Sequence, residues 1–276
     1  MTSTLHSGGW LFYLAAAVAY FAFLFSPRPW LGRLATGVLA VGFAGHTVCF
    51  AVQATGAGIP FASKALVLSL FSWAIVGLYL ATLLRSRMTV LGAFVAPVAT
   101  LMALLSEAAP GAPVPADPHP TVWLAIHIIA LLLGYAAFAV SSCVAAVYLI
   151  QERFLKSRNL GSMFRRLPSL DALDRLNQGA IFFGFALLSI GLFAGAAYAT
   201  VKPMPAGYRI WEDPQAIVAG LLWVWYAFAV QSRLFAGWRG RKSALFAVVG
   251  FFALLIAFIG AILASPASFH LMAASR

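Results

Sequence analysis

Apolar residues run through this chain in long stretches, broken by short polar segments. Eight stretches stand out, roughly Gly9–Ser26, Leu34–Thr55, Ala65–Leu84, Thr89–Glu107, Val122–Ile150, Gly179–Ala199, Gln215–Leu234 and Ser243–Ala264. Crossing about 30 Å of hydrocarbon takes about 20 helical residues, close to what each stretch supplies. The runs are continuous, without the alternation of barrel strands, so the pattern predicts helices. The expected fold is all-α, a polytopic membrane protein of about eight transmembrane helices. No internal repeat or soluble insertion interrupts the pattern. Residues 1–276 therefore read as one membrane domain, with four spans in 1–108 and a core of four spans in 122–270.

Composition agrees. Hydrophobic residues make up 63% of the chain, charged residues 9%, and the mean hydropathy is +0.94. A soluble domain carries about 25% charged residues, so this chain has too little polar surface to cover a globule in water. The net charge of +11 invites a nucleic-acid partner. That reading is set aside, because the basic residues sit in short loops between spans, where they orient the chain in the bilayer.

Fourteen Lys and Arg residues follow spans one, three, five and seven; only Lys64, Lys202, Arg209 and Arg276 fall on the other side. This bias predicts cytoplasmic odd loops and both termini outside. Met1 to Trp10 has no Lys or Arg, unlike the start of a cleavable signal peptide, so the first span is expected to be retained. Trp10 and Trp123 then fall near the outer interface, Trp30 and Trp238 near the inner one, as in an aromatic belt. Cys49 and Cys143 fall at different depths, and no CxxC is present, so neither a disulfide nor thiol-redox chemistry is expected.

The longest inner link, Gln151–Gln178, contains a candidate helix start. Ser169 suits an N-cap, Asp171 suits the positive first turn, and Leu170, Leu173 and Leu176 share one face. The expectation is a short helix lying on the inner leaflet.

Threading places all five histidines at or toward the outer side. His6 precedes span one, His119 lies in an outer loop, His127 sits about one turn inside span five, and His270 follows span eight. His46 lies within span two, past mid-bilayer. An ionisable residue inside a span is a functional candidate, although histidine also packs there as a neutral hydrogen-bonding group. His6 and His119 read as solvated loop residues. His127 and His270 could both face the outer loop Thr200–Pro214, which carries Tyr208, Trp211, Lys202, Arg209, Glu212 and Asp213. A planar apolar ring bearing carboxylates would suit such a site. Aromatic rings stack on its faces, cations pair its carboxylates, and two imidazoles ligate a central iron. An ordinary interfacial hairpin could have the same composition.

Several segments resemble a known family. They are Trp123-Leu124-Ala125-Ile126-His127, Tyr148-Leu149-Ile150-Gln151-Glu152-Arg153, Leu167-Pro168-Ser169-Leu170-Asp171-Ala172-Leu173, Trp223-Val224-Trp225-Tyr226-Ala227, Gly237-Trp238-Arg239-Gly240-Arg241-Lys242 and Gly250-Phe251. Together they resemble the haem-handling membrane proteins of cytochrome c assembly, the CcsA/CcmC superfamily. The resemblance covers Trp123 to His270 well and the first four spans more loosely. The eight-span layout looks most like the HemX/YpjD branch.

In that family two external histidines flank a Trp-rich outer loop and serve as axial haem ligands. The resemblance implies His127 and His270 in those roles, as ligands to haem iron. Tyr208, Arg209 and Trp211 would line the pocket, and His46 is a looser match to histidines that some members carry within a span. The family's loop runs approximately W-G-x-x-W-x-W-D-P-x-E-x-W. This chain keeps Asp213-Pro214 and the downstream Trp223, but has Glu212, Ala216 and Val218 at the other matching positions, and Trp211 is the sole tryptophan in the loop. The eroded motif implies haem binding more directly than haem delivery.

The expected function is therefore that of a multi-pass bacterial inner-membrane protein that binds or handles haem in cytochrome c assembly. Its partners would be membrane lipid and other assembly proteins. The alternative is a HemX-like regulatory or scaffold protein, acting on a haem-biosynthesis enzyme through the inner residues Arg165, Arg166 and Asp171. A permease-type subunit is a further alternative, without inverted repeats or an ATP-binding motif to support it. No GxSxG, HExxH or acid dyad within a span points to a classical enzyme.

Overall fold

A computed structural model describes residues 9–26, 28–55, 64–86, 88–109, 122–157, 167–201 and 214–264. Among these residues the chain is helical throughout, apart from short turns. The helices are α1 (Gly9–Phe25), α2 (Pro29–Thr55), α3 (Lys64–Ser86), α4 (Gly92–Ala108), α5 (Val122–Lys156), α6 (Leu170–Val201), α7 (Pro214–Phe235) and α8 (Arg241–Ala264). A single 3₁₀ turn, Thr89–Leu91, leads into α4. Seven helices are long and apolar enough to cross a membrane. The other, α1, is apolar but only 17 residues long, near the lower limit for a span. The chain is a polytopic membrane protein.

Two groups of four helices meet in one core. Within the first, α1 packs on α2 and α4, and α3 packs on α4. Within the second, α5 packs on α6 and α8, and α7 packs on α6 and α8. The seam runs between α3, α5 and α8. There Phe258 of α8 meets Phe71 of α3 edge to face at 5.3 Å and Tyr135 of α5 at 6.1 Å. Large apolar side chains such as Val41, Val48, Phe193, Leu221 and Phe252 point outward. In water such a surface would be unfavourable; against lipid tails it is not.

The tightest interface joins α5 and α6. Gly184, Gly191 and Gly195 lie on one face of α6 at spacings of seven and four residues. A Cβ at Gly184 would stand 2.6 Å from Phe138 and 3.0 Å from the Gly134 carbonyl; one at Gly191 would stand 2.7 Å from Leu131. Small residues let helix backbones approach closely where lipid supplies no hydrophobic drive.

The inner link differs from expectation. Ser169 does cap a helix, its Oγ accepting from Ala172 N–H at 3.3 Å. The helix it starts, however, is α6 itself, 32 residues without a break. Among the described residues no separate short helix precedes the span, and the helix begins at Leu170 rather than Gly179. The reason is tertiary. Leu173 is fully buried, and the polar residues Asp174, Asn177 and Gln178 are buried as well. Asp174 and Asn177 find hydrogen-bond partners on neighbouring helices instead of in a lipid headgroup layer. At a 1.5 Å rise per residue, α5 and α6 are each about 50 Å long, so both extend beyond the hydrocarbon.

Candidate functional site

Helix alternation brings the starts of α1, α3 and α5 and the ends of α2 and α6 to one end of the bundle. Both described histidines lie toward this end, and they sit in different environments.

His127 lies in α5, one turn past Trp123. Its Nδ1 is 2.7 Å from the carbonyl oxygen of Gly191 in α6. A carbonyl can only accept, so Nδ1 carries the proton; in the neutral ring Nε2 then bears the lone pair. The ring fits only because residue 195 is glycine, since a Cβ there would stand 2.5 Å from Nδ1. Beside it, Trp123 and Phe193 meet edge to face at 6.5 Å, both partly outside the protein core. A metal-ligating histidine typically gives its second ring N–H to a carbonyl or carboxylate, which fixes the tautomer and ring orientation. His127 has this arrangement, and it fits the role of one axial ligand to haem iron.

His46 is 7% exposed, and both of its ring nitrogens are engaged. Tyr13 Oη of α1 lies 3.0 Å from Nδ1, and Ser69 Oγ of α3 lies 2.7 Å from Nε2. A neutral imidazole satisfies both, accepting on one nitrogen and donating from the other. Phe50 stacks on the ring at 4.6 Å. The imidazole thus ties three helices together, and iron ligation from it would require one of these bonds to break. The nearby Phe43–Trp73 stack, with Trp73 Nε1 donating to Thr47 at 2.8 Å, extends the aromatic packing.

The remaining expected site residues, His270, Tyr208, Arg209 and Trp211, lie outside the described residues, as do His6, His119, Arg165 and Arg166. Among the described residues no cluster of three or more His, Cys, Asp or Glu could hold a metal ion.

The opposite end holds a polar network that the linear pattern did not reveal. Asp174 of α6 and Arg233 of α7 form an ion pair at 2.8 Å, with side chains only 10% and 14% exposed. The other Asp174 oxygen accepts from Gly240 N–H at 2.8 Å. One helical turn further in, Asn177 accepts from Ser141 of α5 at 2.7 Å and donates to Ser243 of α8 at 3.2 Å. Four helices are thus joined by side chains whose polarity would be unfavourable in hydrocarbon if left unpaired. Asp171, by contrast, is exposed and pairs with Arg175 on its own helix.

Comparison with known proteins adds to this picture. The family model described as Cytochrome C assembly protein matches residues 59–265. The match therefore includes α3 and α4, where the sequence resemblance was looser. Protein HemX of Brevibacillus brevis is 28% identical over 251 residues, covering 90% of this chain and 91% of that protein. Cytochrome c biogenesis protein CcsA of a Synechocystis strain is 24% identical, covering 94% of each. The CcsA protein of a Synechococcus strain is 32% identical over 159 residues, a match that spans about half of each chain. With three quarters of its length matched by the family model, the chain belongs to the Cytochrome C assembly protein family.

Proposed function

We propose that this protein is a multi-pass inner-membrane protein that takes part in cytochrome c assembly by binding haem, with His127 as an axial ligand. The observation that carries the proposal is the His127 ring, anchored through Nδ1 to Gly191 in a space left by Gly195. Haem bound there would supply a ligatable iron and an apolar porphyrin face. The protein's own residues fix the imidazole orientation and keep Nε2 in its lone-pair form. His270 is proposed as the opposing ligand, with Tyr208, Arg209 and Trp211 lining the pocket. His46 is proposed as a structural cross-link between α1, α2 and α3 rather than a ligand, because both of its nitrogens are engaged.

The excess of Lys and Arg on the opposite side supports placing the His127 end, and both termini, outside the cytoplasm. Other cytochrome c assembly proteins are the expected partners. The test is a visible absorption spectrum of detergent-purified protein, wild type beside His127→Ala.

Whole-length similarity to Protein HemX favours a second reading, a regulatory or scaffold protein that acts from the inner side. A pull-down comparing inner-link variants with His127 variants separates the two.

A further inference from the structure

The α7–α8 turn is held more firmly than a connection requires. Trp238 N–H donates to the Ser232 carbonyl at 3.1 Å, and Arg233 donates to the Trp238 carbonyl at 3.3 Å. Gly240 N–H donates to Asp174 at 2.8 Å, and the Gly240 carbonyl accepts from Ala244 N–H at 2.9 Å. Gly237 and Gly240 both adopt left-handed backbone, φ +64° and +63°, which suits glycine. Basic residues in an inner loop orient any membrane protein, but a loop serving only that end needs no fixed shape.

The turn spends one cation inside and presents three outside. Arg233 is neutralised by Asp174. Arg239, Arg241 and Lys242 are exposed. Lys156 of α5 adjoins them through Glu152, which lies 2.7 Å from Lys156 and 3.9 Å from Arg241. Among the described residues Glu152 is the one carboxylate paired with this group, so four cations face a single anion. Arg241 and Lys242 also occupy the first turn of α8, which has no acidic residue. That is the positive end of the helix dipole, where cations are disfavoured unless an anion is near. The Trp238 ring packs edge-on to Phe228 and Phe246, with Lys242 Nζ 5.2 Å from its centroid. Leu234, Phe235 and Leu245 continue the surface as exposed apolar side chains.

We propose that this face binds the headgroup of an anionic phospholipid. The phosphate sits among Arg239, Arg241 and Lys242, Trp238 marks the interface, and the acyl chains run along Leu234, Phe235 and Leu245. Basic pockets beside transmembrane helices take anionic headgroups in this way, and the apolar flank distinguishes a lipid from a free anion. The proposal is independent of haem binding.

The test uses the full chain in nanodiscs containing phosphatidylglycerol and phosphatidylcholine, with bound lipid read by native mass spectrometry. Wild type is expected to retain phosphatidylglycerol selectively. Losing two cations near an anionic surface corresponds to about 30-fold weaker binding, so R239Q/K242Q should lose it by that factor and R239Q alone by about fivefold. The control R28Q/R85Q removes the same charge elsewhere on the basic end and should retain the lipid. Three results would overturn the proposal. They are unchanged retention in R239Q, an equal loss in R28Q/R85Q, or displacement of the lipid by inorganic phosphate.

Discussion

His127 Nδ1 and the carbonyl oxygen of Gly191 lie 2.7 Å apart across the α5–α6 interface. This contact orients the imidazole, and it exists because neither Gly191 nor Gly195 has a side chain to push the helices or the ring away. The glycine face that packs the two helices closely thus also makes room for the His127 ring.

Gly195→Ala tests that link. The new methyl would meet the His127 ring at 2.5 Å, so the ring must turn and give up Gly191. The expected loss is about 1–3 kcal/mol, the usual range for overpacking, read as a lower thermal unfolding midpoint in detergent. Gly179→Ala on the same helix meets nothing within 4 Å. It should be neutral, or stabilising by about 0.5–1 kcal/mol.

The Asp174–Arg233 pair predicts an asymmetry. Removing one partner leaves a buried charge, so Asp174→Asn or Arg233→Gln should each destabilise by about 3–5 kcal/mol. The double variant should recover part of that loss, since no lone charge remains. Unfolding of all four forms of the protein gives the coupling energy.

For His46 the expected outcome is structural. Tyr13→Phe and Ser69→Ala each remove one hydrogen bond from its ring, with a predicted loss of about 0.5–1.5 kcal/mol. Neither change should alter a haem spectrum if iron is held elsewhere.

Tyr226 offers a test in the opposite direction. Its ring stacks on Phe138 at 3.4 Å and 5° between planes, while its buried hydroxyl has no hydrogen-bond partner among the described residues. Tyr226→Phe keeps the stack and removes the orphaned group. It should leave stability unchanged or raise it by about 1 kcal/mol, measured by the same unfolding assay.

The helices were legible in the sequence because each apolar run has the length a bilayer demands. The N-cap at Ser169 was legible as well. The extent of α6 was not. Asp171, Asp174, Asn177 and Gln178 read as an interfacial segment by local polarity, yet three of the four are buried. What buries Asp174 is Arg233 on another helix, together with a backbone N–H at Gly240. A pairing across that many residues leaves no periodic trace.

At the candidate site, His127 was visible as a histidine near the start of an apolar run, but its anchor was not. The spacing of Gly184, Gly191 and Gly195 was the available signal, a small-residue face seven and four residues apart. His46 stood out in the sequence as an ionisable residue within a span, and the structure shows its ring hydrogen-bonded on both nitrogens. Its role turned on Tyr13 and Ser69, which nothing in the local sequence connects to it.

The most direct measurement is the absorption spectrum of haem-loaded, detergent-purified protein, taken for wild type, His127→Ala and His46→Ala. Ligation through His127 predicts that His127→Ala shifts or abolishes the haem bands while remaining folded, that added imidazole restores them, and that His46→Ala keeps the wild-type bands. An unchanged spectrum in folded His127→Ala would contradict the account.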